Sequence, residues 1–146
     1  MISPNRRTPC VGICSTTYGD LVCRGCKRFA HEIVQWNGYD EAQKAAVWTR
    51  LHALRDEVVQ QRIAVVDQAL LETECANAGI TGDPGTARTY ALISHLVVLS
   101  AADVAVAGLR LIADAPQDAL SVVQALDAEI YMRSRAHYEH SFKVSV

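Results

Sequence analysis

Four of the five cysteines of this chain, Cys10, Cys14, Cys23 and Cys26, fall within 17 residues, in the stretch PCVGICSTTYGDLVCRGC that starts at Pro9. They form two close pairs with the spacing C-x3-C-x8-C-x2-C. A thiolate is the softest ligand a protein can offer, and four together suit Zn²⁺ or an iron–sulfur cluster. Each pair holds one glycine, Gly12 and Gly25. A glycine lets the backbone bend so that both sulfurs of a pair face one ion.

Two disulfides are the competing use of four cysteines. The N-terminal residues MISPNRRTPC contain no apolar core of a secretory signal, which points to the cytoplasm, where thiols stay reduced. Bridges within either pair would also close loops too small to staple a fold. The spacing itself favours zinc, because two short pairs around a turn are the usual design of a closed structural site. It matches neither common ferredoxin cysteine run.

The rest of the chain reads as helical. Alanine, leucine and valine dominate and aromatics are few, which favours closely packed helices. The eight residues between the cysteine pairs, STTYGDLV, have strand propensity and a Gly19-Asp20 turn signal, so a short β-hairpin with one pair at each base is expected. A short helix follows over Ala30 to Trp36, stopped at Asn37-Gly38. Asp40, with Gln43 three residues on, caps a long amphipathic helix whose apolar set includes Val47, Trp48, Leu51, Val58 and Val59. A helical run over Ile63 to Ala78 ends at Gly79. The apolar stretch Thr89 to Ala113 reads as a buried helix broken near Ser100, with Asp103 close to a restart. Asp114 and Pro116 then start a last helix that turns Leu120, Val123, Leu126, Ile130 and Met132 inward. The expected architecture is mainly α. A metal-bound hairpin or knuckle with four cysteine ligands, over residues 1–38, precedes a compact bundle of four to five helices over residues 39–146.

The cysteine stretch and the helices after it resemble the bacterial family called domain of unknown function 1289. The pattern is P-C-x-G-I-C at Pro9 to Cys14, C-R-G-C at Cys23 to Cys26, an E-I-x-x-W segment at Glu32 to Trp36, and V-W-x-R-L at Val47 to Leu51. Members of the family are often labelled predicted iron–sulfur proteins. The resemblance therefore implies metal binding through Cys10, Cys14, Cys23 and Cys26, and its label favours iron where the spacing favours zinc. It spans residues 9–51, and no functional residue is carried over beyond them.

Charge is unevenly spread. Residues 1–28 hold Arg6, Arg7, Arg24, Lys27 and Arg28 against Asp20 alone, a balance of +4, whereas the whole chain is −2. A basic knuckle on an acidic body would attract an anionic surface at one end. An acidic protein face is the favoured partner and nucleic acid the alternative, since no aromatic-interleaved basic stripe appears. No membrane association is expected, and no oligomeric state is implied.

Other reactive residues read as ordinary ones. Cys75, alone on a helix, is a small hydrophobe. His31 is a spare ligand beside four thiolates. His137 and His140 mark an exposed helix end. No serine nucleophile motif, paired catalytic carboxylates or dinucleotide fingerprint is present. Two functions stand at this point: a non-enzymatic adaptor or regulatory protein built on a zinc knuckle, and an iron–sulfur electron-transfer or redox-sensing protein.

Overall fold

The computed structural model describes residues 8–11, 14–81, 85–99 and 102–141. Among them five α-helices carry most of the chain: α1 (Ala30–Gln35), α2 (Glu41–Arg62), α3 (Gln68–Asn77), α4 (Thr86–Leu99) and α5 (Ala119–Ser141). Two three-residue strands, β1 (Ile63–Val65) and β2 (Leu109–Leu111), pair antiparallel with Ala64 opposite Arg110. The fold is mainly α. No helix of the described residues is long and apolar enough to cross a membrane.

The chain divides into two compact units. One comprises Met1–Leu54 with Glu129–Val146, and the other Arg55–Ala128. The first holds the cysteine stretch, α1 and the first turns of α2. Its buried side chains include Pro9, Val22, Phe29, Trp36, Val47, Leu51 and Ile130. Within it Trp36, Val47 and Leu51 form one cluster, with Tyr39 and Trp48 against its edge. Asp40 starts α2 as its sequence promised. Asp40 Oδ1 accepts from the Gln43 amide at 2.7 Å, and Gln43 Oε1 accepts from the Asp40 amide at 2.9 Å. That reciprocal pair satisfies two of the donors a helix start leaves unpaired.

The second unit is built on Val58, Val59, Leu92, Ile93, Val104, Leu109, Val122 and Leu126, all buried. Here three sequence expectations are corrected. The run Ile63 to Ala78 is not one helix: Ile63, Ala64 and Val65 leave α2 as strand β1, and α3 restarts behind Asp67, whose Oδ1 accepts from the Leu70 amide at 3.0 Å. Two of those three residues are β-branched, which suits a pleated strand better than a helix. After Asp103 the chain makes a 3-10 turn over Val104–Ala107 and then β2, not a second helix. Gly108 joins the two at φ +73°, and a Cβ there would stand 2.4 Å from the Asp67 carbonyl oxygen. Only glycine fits that close approach.

The last helix starts at Ala119 rather than near Pro116. Its cap is Asp118, whose carboxylate accepts from the Ser121 amide at 3.0 Å and is thereby held below the usual carboxylate range. Gln117 explains the delay. Its side chain accepts from the Leu111 amide at 2.8 Å and donates to the Leu111 carbonyl at 3.2 Å, which ties the segment back to β2. The inward stripe of α5 is Ala119, Val122, Leu126, Ile130 and Ser134, whereas Leu120 and Met132 are exposed.

Candidate metal centre

The expected hairpin over STTYGDLV is replaced by something tighter. Ser15–Tyr18 form a single 3-10 turn, ended by Gly19 at φ +99°. The extended pairing lies one step on, around the second cysteine pair. Val22 bridges Phe29, Cys23 N–H donates to the Arg28 carbonyl at 2.9 Å, and Ala30 N–H donates to the Leu21 carbonyl at 2.8 Å. Residues 24–27 are the turn that this short ladder encloses, and Lys27 N–H donates back to the Cys23 carbonyl at 2.9 Å.

The turn needs one left-handed residue, and that residue is Lys27 at φ +66°, not Gly25. The conformation costs about 1–2 kcal/mol for a residue with a Cβ. Its side chain offsets part of this. The ammonium folds over the turn and donates to the Arg24 carbonyl at 2.6 Å and the Gly25 carbonyl at 3.0 Å.

Backbone amides converge on the sulfurs. Burial works to raise the Cys23 thiol, but donors from the Cys26, Ser15 and Gly25 amides outweigh it and hold Cys23 below the ordinary thiol value. The Cys14 sulfur lies 2.8 Å from the Thr16 hydroxyl, which does most to hold it low, with the Thr17 hydroxyl and then the Thr16 and Thr17 amides adding to it. For Cys26 burial dominates and pushes the thiol up, against the pull of Arg28, whose Nε donates to the sulfur at 3.3 Å. Hydrogen bonds to a sulfur favour its anionic form, which is the form that binds metal. Donors from residues two and three places after a cysteine are supplied by the turn itself.

Cys23 and Cys26 stand together, joined through their side chains, and the Ser15 amide brings the segment after Cys14 up to Cys23. Cys10 is held at its amide, which donates to the Thr8 hydroxyl at 3.3 Å. None of the five cysteines is paired in a disulfide. Among the described residues no group of three or more His, Cys, Asp or Glu side chains is gathered tightly enough to hold a metal ion. The donor chemistry thus fits a thiophilic ion, but the four sulfurs are not drawn into one shell. Cys75 lies in the other unit, on α3, where burial raises its thiol. His31 and His137 pack on the Phe29 ring, with centroids 5.8 and 5.7 Å away.

The basic candidates separate into three cases. Arg6 and Arg7 lie outside the described residues. Arg24 is exposed, with 64% of its side chain open to solvent, and it pairs with Asp20 at 3.2 Å and lies over the Tyr131 ring. Lys27 and Arg28 are each only 4% exposed. Their charges point inward, onto carbonyls and a sulfur, so neither belongs to a contact surface. A basic residue beside a cysteine pair looks the same in sequence whether it faces water or the turn.

Sequence reasoning gave no role to Glu32 and Arg50, although both lie in the recognised pattern. Glu32 is buried at the start of α1, where Oε1 accepts from the Phe29 amide at 2.8 Å. Arg50 of α2 grips the same carboxylate with both terminal nitrogens, at 2.5 and 2.6 Å, and its guanidinium lies 4.1 Å above the Phe29 ring. A two-pronged arginine–carboxylate pair fixes geometry as well as charge. It locks α1, and with it the second cysteine turn, onto α2. Residues 8–55 match the model of a family described as protein of unknown function (DUF1289). This segment is a DUF1289 domain. The DUF1289 match takes in all four clustered cysteines together with Glu32, Trp36 and Arg50, so it spans the cysteine turn and the helical clamp beneath it. No curated protein and no solved structure matches the chain.

Proposed function

We propose that this chain is a small metal-binding protein whose Cys10, Cys14, Cys23 and Cys26 hold one Zn²⁺, and that it works in the cytoplasm as a non-enzymatic adaptor or regulator. The observation that carries the reading is the set of donors gathered on two sulfurs, the Thr16 and Thr17 hydroxyls and amides on Cys14 and the Cys26, Ser15 and Gly25 amides on Cys23. Such donors stabilise thiolates, and a buried pair of thiols has no need of them. The ion would supply a cross-link between two short segments that have little regular structure of their own. An iron–sulfur cluster on the same cysteines, serving electron transfer or redox sensing, is the second reading, favoured by the label that goes with the sequence resemblance.

Protein purified without oxygen decides between them. A colourless protein with one zinc per chain supports the first reading, and a brown one with visible charge-transfer bands the second. Changing Cys10, Cys14, Cys23 or Cys26 to Ser should lower metal content, and Cys75→Ser should leave it unchanged. If Cys75→Ser lost the metal while Cys14→Ser kept it, the assignment would be wrong.

The partner in this reading is an acidic protein surface that meets Arg24 together with Arg6 and Arg7, with nucleic acid as the other candidate. Its binding should weaken as salt rises and with Arg24→Glu. Affinity indifferent to both changes would place recognition on another face.

A further inference from the structure

Beside the Phe29 ring the first unit holds a cavity of about 90 Å³, lined by Phe29, Arg50, Leu54, Arg133, Ser134 and His137. Phe29 stands just before α1, Arg50 and Leu54 come from α2, and the other three lie within two turns of α5. The His137 ring stacks on Phe29 with the planes 11° apart, and the Arg50 guanidinium lies 4.1 Å above the same ring. Phe29 and Leu54 give the cavity an apolar wall.

The charge of this cavity is one-sided. Its lining holds two guanidiniums and an imidazole, and no carboxylate. Each arginine has a carboxylate of its own, but neither of those lines the cavity. Glu32 takes both terminal nitrogens of Arg50, and Glu129 Oε1 takes Nε and one terminal nitrogen of Arg133, each at 3.0 Å. Such pairs hold the two guanidiniums in place. Ser134 adds a donor. It is 3% exposed, and among the described residues its hydroxyl has no hydrogen-bond partner. A buried hydroxyl without a partner costs stability until something completes it.

The volume restricts what could do so. Small-molecule and cofactor sites run to roughly 300–1,000 Å³, so a nucleotide is too large here, whereas an anion on a short carbon body fits. Guanidinium and hydroxyl donors call for an acceptor-rich group, and a planar carboxylate matches a planar guanidinium. A bare inorganic anion would lose its water against Phe29 and Leu54, which is costly. Two or three carbons on the anion would cover that wall instead. Arg50 and Arg133 keep 29% and 26% of their side chains open to water, so a solute can reach the cavity.

We propose that this cavity is a binding site for a small aliphatic carboxylate, held with its charge toward Arg133, Ser134 and His137 and its carbons against Phe29 and Leu54. Such a group is either a free short-chain acid or the end of an aspartate or glutamate side chain on a partner. The site does not depend on a metal at the cysteines.

The test is a titration of the full-length chain with sodium propionate, followed by the Leu54 methyl signals in a carbon–proton NMR spectrum. Propionate should shift them saturably. Sodium chloride at equal ionic strength and propionamide, the uncharged analogue, should not. Arg133→Gln should weaken binding roughly tenfold. Ser134→Val removes the donor and fills the cavity, so it should abolish binding. Arg133 is half-exposed, so Arg133→Gln carries the test if Ser134→Val disturbs the helix. A tripeptide with a central glutamate and blocked ends separates the two sources. Saturation of the same signals assigns the site to a partner's side chain, and no response beside a propionate response assigns it to a free acid. Shifts that do not saturate, that propionamide reproduces, or that Arg133→Gln leaves unchanged would overturn the proposal. Sulfate binding as tightly as propionate would overturn it too, because the carbon body would then play no part.

Discussion

At the residue scale, the first unit uses its charges inward. Lys27 caps the carbonyls of the cysteine turn, Arg28 reaches a sulfur, and Glu32 receives both an amide and the fork of Arg50. The last of these is the most exposed to test, because Glu32 is 5% exposed and its partner's side chain 29%. Breaking a buried pair from one side leaves an uncompensated charge and costs about 3–5 kcal/mol. Here Arg50 can turn toward water, so Glu32→Ala should cost about 3 kcal/mol, the low end of that range. Both tryptophans, Trp36 and Trp48, lie in this unit, so the loss is read from their fluorescence in a urea titration. A cost below about 1 kcal/mol, the worth of an exposed pair, would mean that the clamp does not hold α1.

At the element scale, what was legible in the sequence was what is local. The Asp40–Gln43 box and the left-handed Gly79 at φ +71° depend on neighbours within a few positions, and both stand where the residues put them, whereas α1 ends at Gln35 and Asn37-Gly38 continue the chain in a 3-10 turn over Trp36–Gly38. The elements that failed depend on partners far along the chain. Ile63–Val65 could extend α2 just as well as form a strand, and what decides it is Leu109–Leu111 more than forty positions later. Ile-Ala-Val does not alternate in polarity, and Leu-Arg-Leu alternates over three residues only, too few to announce a strand. The start of α5 was misplaced because Asp114 and Asp118 are equally good caps in sequence. Gln117, by bonding back to Leu111, selects the second. That shift of a few residues changes which face of the helix is buried, hence Val122 inside and Leu120 outside. In the cysteine stretch the ligand candidates were legible from spacing alone. The tighter turn was not, because Thr16, Thr17 and Tyr18 favour strands while the Cys14 sulfur competes for the Thr16 and Thr17 amides.

At the scale of the whole molecule, the two units have unequal means of standing on their own. The unit of Arg55–Ala128 has an apolar core drawn from several helices, a strand pair and no cluster of cysteines. The cysteine stretch of the other has, among the described residues, one 3-10 turn, a ladder of a few hydrogen bonds and no α-helix before α1. A two-stranded ladder of that length is marginal in water unless something else holds it closed. If a metal does so, removing it should act locally. A strong chelator should strip amide protection from residues 9–36, weaken it in the first turns of α2, and leave the amides of residues 58–71 and 90–99 as slow to exchange as before. Most of the helical circular dichroism should survive, because α2 to α5 bury apolar faces that need no ion. Hydrogen exchange read by mass spectrometry separates the two segments within one sample. A single cooperative loss of helix throughout the chain on chelation would show that the cysteine turn is part of the common core, and that the ion holds both units folded.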